Sequence, residues 1–212
     1  MKKVVLPLLT IFASTISCKD ITPKADGEYN LEIPEVIVKN ELPPDSATVS
    51  QAWMKHMTPS KSHEMMARDN GIWEEQMTMW ETRKSEPIKA VFKVENKMIL
   101  GGRYQQSTHK GEFMGMPFEG ISTLAYNNTT QEYVSTWVDN MGTGITIMRG
   151  RFNTSTKSIN MEGKVVDPLT RKEKKVKEIF TFIDDNTQKM VMFDTGYDGK
   201  EFKSMEAILK RK

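Results

Sequence analysis

The chain has 212 residues, 38% hydrophobic and 27% charged, which suits one globular domain with an ordinary core. Its formal net charge is +2, supplied by Lys2 and Lys3; without residues 1–17, 28 Lys and Arg stand against 28 Asp and Glu. That neutrality argues against nucleic acid as a partner, which demands a basic surface, and against polybasic docking on anionic lipid.

The N-terminus reads as a secretory leader. Met1-Lys2-Lys3 is a short positive region, and Val4 to Ala13 is an apolar run too short to span a bilayer. Small and polar residues then lead to Cys18, the only cysteine. Its placement resembles the bacterial lipobox, in which the cysteine becomes the first mature residue and carries the acyl groups. Thr15 stands where Leu is usual, a relaxation that resembles lipoproteins of Bacteroidetes, and Lys19-Asp20 resembles their surface-export signal. The expectation is a leader over 1–17, a lipid on Cys18, a tether over 18–44 and a domain over 45–212. The membrane is then a partner through the lipid, and the compartment is the cell envelope, at the periplasmic or surface face of an outer membrane. With no second cysteine, no intramolecular disulfide can form.

Residues 19–44 carry Pro23, Pro34, Pro43 and Pro44 among many charges, a linker composition. Asp45 or Ser46 can cap a helix running to about Met57, with Val49, Trp53 and Met57 on one face. A second helix is expected from Thr58 as N-cap and Pro59 at the first helical position, stopping at Asn70-Gly71. From Ile72 onward short runs of period two alternate with turn signals, predicting ten strands near 72–83, 88–97, 98–109, 118–127, 132–140, 144–152, 158–166, 173–183, 188–196 and 201–210. Val176, Glu178, Phe180 and Phe182 share one face of their strand; Tyr133, Ser135, Trp137 and Asp139 share one face of theirs. Ten consecutive strands with short connections leave exposed edges unless the sheet closes. The expected class is all-β: an antiparallel up-and-down β-barrel preceded by two short α-helices, with a β-sandwich as the alternative.

The stretch His63 to Trp73 (HEMMARDNGIW) resembles the opening of the bacterial domain of unknown function numbered 1579. The resemblance continues through Leu100-Gly101-Gly102-Arg103-Tyr104, Met116 to Gly120, Thr123 to Asn127, Tyr133 to Asp139, Met141-Gly142-Thr143 and Met205 to Arg211, covering about residues 60–212. Ala125-Tyr126-Asn127 departs from it, since the family more often has Gly-Tyr-Asp there. The resemblance implies a lipocalin-like or fatty-acid-binding-protein-like barrel and no established activity.

No catalytic constellation is legible. The histidines are His56, His63 and His109, no serine sits in Gly-x-Ser-x-Gly, and neither a P-loop nor a dinucleotide fingerprint is present. His63 with His56 or Glu64 lacks the i, i+4 spacing of helical zinc sites. Neither a metal nor a cofactor is therefore assigned. Gly111 to Gly120 reads as a flexible or bulged crossing between strands, or as a portal loop. Glu75, Asp139, Glu178, Asp194 and Glu206 fall on strands, but their register decides whether any two meet.

The candidate ligand-binding residues are Trp80, Tyr104, Tyr133, Trp137 and Arg149, combining ring stacking with a hydrogen bond or charge; His63 and Trp73 are candidates for a cap or pocket. Methionines 77, 79, 98, 148, 161, 190 and 192 suit an adaptable pocket or a gap-filled core. Three readings follow. The first is a non-catalytic binding protein for a small, partly apolar ligand. The second is a structural or interaction lipoprotein with a filled barrel and an exposed apolar patch near Trp53 and Met57. The third is an enzyme, which requires acidic side chains converging in a pocket.

Overall fold

Helix α1 (Ser46–Met57) begins where the sequence offers a cap: the Asp45 carboxylate accepts from the Ala47 and Thr48 amides, both at 2.9 Å. The computed structural model describes residues 44–212, so the expected leader, the lipidation site at Cys18 and the tether lie outside the described residues. Helix α2 (Lys61–Ala67) starts later than Thr58 and Pro59 suggest. Its cap is Ser60, whose amide donates to His63 Nδ1 at 2.9 Å. Thr58 instead closes α1, its hydroxyl donating to the Met54 carbonyl.

Ten strands follow: β1 (Gly71–Met79), β2 (Ile88–Ile99), β3 (Tyr104–Phe113), β4 (Met116–Asn127), β5 (Glu132–Asp139), β6 (Thr146–Asn153), β7 (Ser158–Val166), β8 (Glu173–Asp184), β9 (Thr187–Thr195) and β10 (Glu201–Arg211). Each pairs antiparallel with its neighbour in sequence, and β1 also pairs with β10, so the sheet closes into an up-and-down barrel. Closure leaves no unpaired edge. The all-β class with helices ahead of a ten-stranded barrel is what the structure shows.

Several boundaries differ from the sequence reading. Strand β1 ends at Met79 rather than near residue 83, which leaves Trp80 outside it. The turn between β2 and β3 lies at Leu100–Arg103, where Leu100, Gly101 and Gly102 all have positive φ, so β3 starts at Tyr104 rather than near residue 98. The glycine-rich stretch is not a loose crossing. It forms the ends of two long strands joined by a tight hairpin at Met114 (φ 52°) and Gly115 (φ 76°), the double positive φ of a type I′ turn.

Because side chains alternate, each strand contributes every second residue to the interior. On β1 these are Trp73, Glu75 and Met77; on β8, Val176, Glu178, Phe180 and Phe182. Ile179 and Ile183, on the other face of β8, are exposed. Gly150 is needed inside β6 because a Cβ there would run into the backbone carbonyl of Asn160 on β7.

Helix α2 plugs one end of the barrel. Gln105 Nε2 donates to the Met66 carbonyl at 2.6 Å, and Trp73 Nε1 to the Asp69 carbonyl at 2.8 Å. Arg211 finishes the seal from β10, donating to the Arg68 and Asn70 carbonyls at 2.7 Å each while its guanidinium lies 4.3 Å from the Trp73 ring centre. Met66 and Trp73 are almost wholly buried there, and burying a side chain the size of Met66 stabilises by roughly 2 kcal/mol. Helix α1 has no buried residue and is tied to the barrel by Asn128, whose amide donates to the Thr58 carbonyl at 2.7 Å and the Lys55 carbonyl at 3.1 Å.

Candidate functional site

The barrel is not solid. Between the α2 plug and the turns at the opposite end lies a cavity of about 460 Å³. Small-molecule sites fall at about 300–1,000 Å³. Most of its wall is apolar: Phe92, Phe113, Phe118, Phe180 and Phe182 contribute rings, and Met77, Met79, Met148, Met161, Met190 and Met192 contribute thioethers. Unbranched methionines adapt to irregular contents. Of the expected methionine set only Met98 lies elsewhere, in the core around Tyr133.

One sector of the wall is polar. Glu75 on β1 and His109 on β3 both point inward, with His109 Nδ1 and Glu75 Oε2 2.7 Å apart. An ionised carboxylate can only accept, so Nδ1 carries the proton of this bond. The imidazole stands edge-on to the Trp137 indole, ring centres 5.0 Å apart, and Trp137 Nε1 donates to Asp139 Oδ2 at 2.6 Å. Gly120 on β4 makes room for that indole, since a Cβ there would lie 2.5 Å from the Trp137 ring.

Glu178 enters from β8. Its side chain has no hydrogen-bond or ion-pair partner among the described residues, and the part of its surface that remains accessible faces the cavity. Burial raises its pKa to about 7, with a smaller push from the Glu75 charge. Asp69, under α2, is likewise raised to about 7 by burial, against the opposing pull of Arg211 and Gln188. Asn96 Oδ1 and Gln188 Oε1, also at the cavity wall, are buried acceptors without a partner.

The candidates read from the sequence divide sharply. Trp137 lines the cavity. Tyr133 is buried, packed 4.8 Å from the Tyr126 ring beneath α2, where burial raises its phenol pKa. Trp73 is core under Arg211, and His63 is a capping residue whose imidazole pKa is lowered, chiefly by burial. Tyr104 and Arg149 lie on the outer face, exposed, and Trp80 lies past the end of β1 with Lys203 Nζ 4.7 Å from its ring centre. The structure thus joins Trp137 with residues not put forward as ligand-binding: His109, Glu75, Glu178 and the phenylalanines. Of the remaining strand carboxylates, Asp194 pairs with Lys174 at 2.6 Å, and Glu206 pairs with Lys189 and Lys203 outside the barrel. The expected apolar patch on α1 is present, with Val49, Trp53, Met54 and Met57 exposed.

Ten antiparallel strands closed around a cavity with one polar sector define the class: a small up-and-down β-barrel. The chain belongs to the family described as "Protein of unknown function (DUF1579)", which matches residues 58–211. The fold is similar to that of Rv2717c from M. tuberculosis, at a TM-score of 0.55 and 14% identity, covering 73% of this chain and 99% of that one. It is also similar to the S-type phycobiliprotein lyase CPES from Guillardia theta, at a TM-score of 0.51 and 7% identity, covering 80% of this chain and 98% of that one. At these identities the likeness is one of fold. No curated protein matches the chain.

A carboxyl raised to about 7 in the folded protein binds a proton that the unfolded chain has released above about pH 4.5. The folded state therefore loses stability as pH rises from about 4.5 to about 7, and the loss is complete above that range. Glu178→Gln removes this loss. In urea unfolding, the variant is expected to match the wild type near pH 4 and to exceed it by up to about 3 kcal/mol near pH 8.

Proposed function

We propose that the protein is a non-catalytic binding protein that holds a small, partly apolar molecule inside the barrel. The cavity carries this reading. At about 460 Å³ it has the volume of a small-molecule site rather than of a packing defect. A barrel serving only as a filled scaffold gains nothing from such a void. A wall of phenylalanine and methionine broken by one polar sector is the usual layout of a small-molecule site.

The leader and Cys18 support a second part of the proposal: the chain is exported, acylated at Cys18 and tethered to the cell envelope, with the linker holding the barrel off the membrane. Expression in the native host with radiolabelled palmitate tests this. Label is expected in the wild type and absent from Cys18→Ser; label that persists in the variant contradicts it.

The neutral apolar dye Nile red tests the binding reading. Saturable fluorescence enhancement is expected, weakened at least about tenfold in Met192→Trp, whose larger side chain fills the cavity beside Glu178. Absence of saturable binding by the wild type contradicts the proposal, as does unchanged affinity in a folded Met192→Trp.

A further inference from the structure

The polar sector says what kind of head group the cavity takes, given the binding reading above. Five titratable side chains reach the cavity: Asp69, Glu75, Asp139, Glu178 and His109. Four are acids. Among the described residues no lysine, arginine or tyrosine lines it, so an anionic ligand finds no lysine or arginine to pair with there. His109, the single base, is already committed to Glu75 at 2.7 Å. Asp139 is also occupied, by the Trp137 indole and by the Met141 amide at 2.9 Å. Asp69 is held by Gln188 and by the charge of Arg211, so among the described residues Glu178 alone is left with no donor; its cross-strand neighbours are both methionines, Met161 on β7 and Met192 on β9. The two other unpartnered polar atoms of the wall, Asn96 Oδ1 and Gln188 Oε1, are acceptors as well. These three unpartnered acceptors each ask for a donor, and the surplus of acids over bases in the wall asks for a positive one.

We propose that the ligand is an organic cation: an apolar body bearing a protonated amine whose N–H groups donate to the Glu178 carboxylate. The apolar body rests among the phenylalanine and methionine side chains, where desolvation favours it. The ammonium replaces the missing partner of a buried carboxyl, an interaction that is strong because the surrounding wall excludes water. A fatty acid of equal length would instead place its carboxylate against Glu75 and Glu178, like charge against like, and be rejected.

The test uses the full chain and three probes matched in length but not in head group: decylamine, decanol and decanoate, each displacing Nile red. Decylamine is expected to compete at least about tenfold more effectively than decanoate, with decanol between them. Glu178→Gln is expected to shrink the advantage over decanol to within about threefold. In the wild type, decylamine affinity is expected to rise between about pH 6 and about pH 8, because the probe stays protonated while Glu178 ionises. That second measurement stands even if the variant folds poorly. Decanoate or decanol binding as tightly as decylamine overturns the inference and leaves the binding reading intact, and so does an amine preference that is unchanged in Glu178→Gln or flat with pH. Failure of Nile red and all three probes to bind overturns the binding reading itself.

Discussion

Closure of the sheet is the constraint from which the rest follows. Once β1 pairs with β10, no strand has a free edge and every second side chain must enter a shared interior. Ten strands enclose more volume than the side chains they send inward can occupy. The consequence is the cavity. Helix α2 then has a defined task, to stop one end, which it does with backbone carbonyls bound by Gln105, Trp73 and Arg211.

Closure also explains why the polar sector is informative. A carboxyl on the outside of the barrel finds lysine or water, as Glu206 does with Lys189 and Lys203. A carboxyl forced inside finds only what the other strands bring. Glu75 meets His109, Asp139 meets the Trp137 indole, and Glu178 meets no partner among the described residues. Burial without a partner is costly, and the cost shows as a proton held to about pH 7. The third reading from the sequence, an enzyme with converging carboxylates, required such acids in one pocket. They do converge: Asp69, Glu75, Asp139 and Glu178 share one cavity wall, and among the described residues Glu178 is the one without a hydrogen-bond or ion-pair partner.

The fold was legible in the sequence because period two and turn residues are local signals. Ten runs and their breaks predicted ten strands, and closure followed from the edge problem. Asp45 as a cap was equally local. What failed depended on competition between neighbours: Thr58 could close α1 or open α2, and the geometry at Ser60 and His63 decided it. The site was legible only in part. Tyr104 and Arg149 were attractive by residue type, but the register of β3 and β6 puts them outside, while Ser107, His109 and Met148 point in. The alternation of β8 did contain the signal for Glu178, an acid in line with Val176, Phe180 and Phe182. One apolar face interrupted by a charge was the mark to weigh above aromatic content. The pairing of Glu75 with His109 joins residues 34 apart in sequence and needed the register of three strands.

The central claim is that the barrel holds a ligand, not a packed core. A crystal structure of the full chain purified from its own source tests it most directly. The account predicts continuous non-protein density along the Phe180 and Met192 wall, ending in contact with Glu178. A barrel whose side chains close the cavity, or a cavity that holds only discrete water molecules, would contradict it.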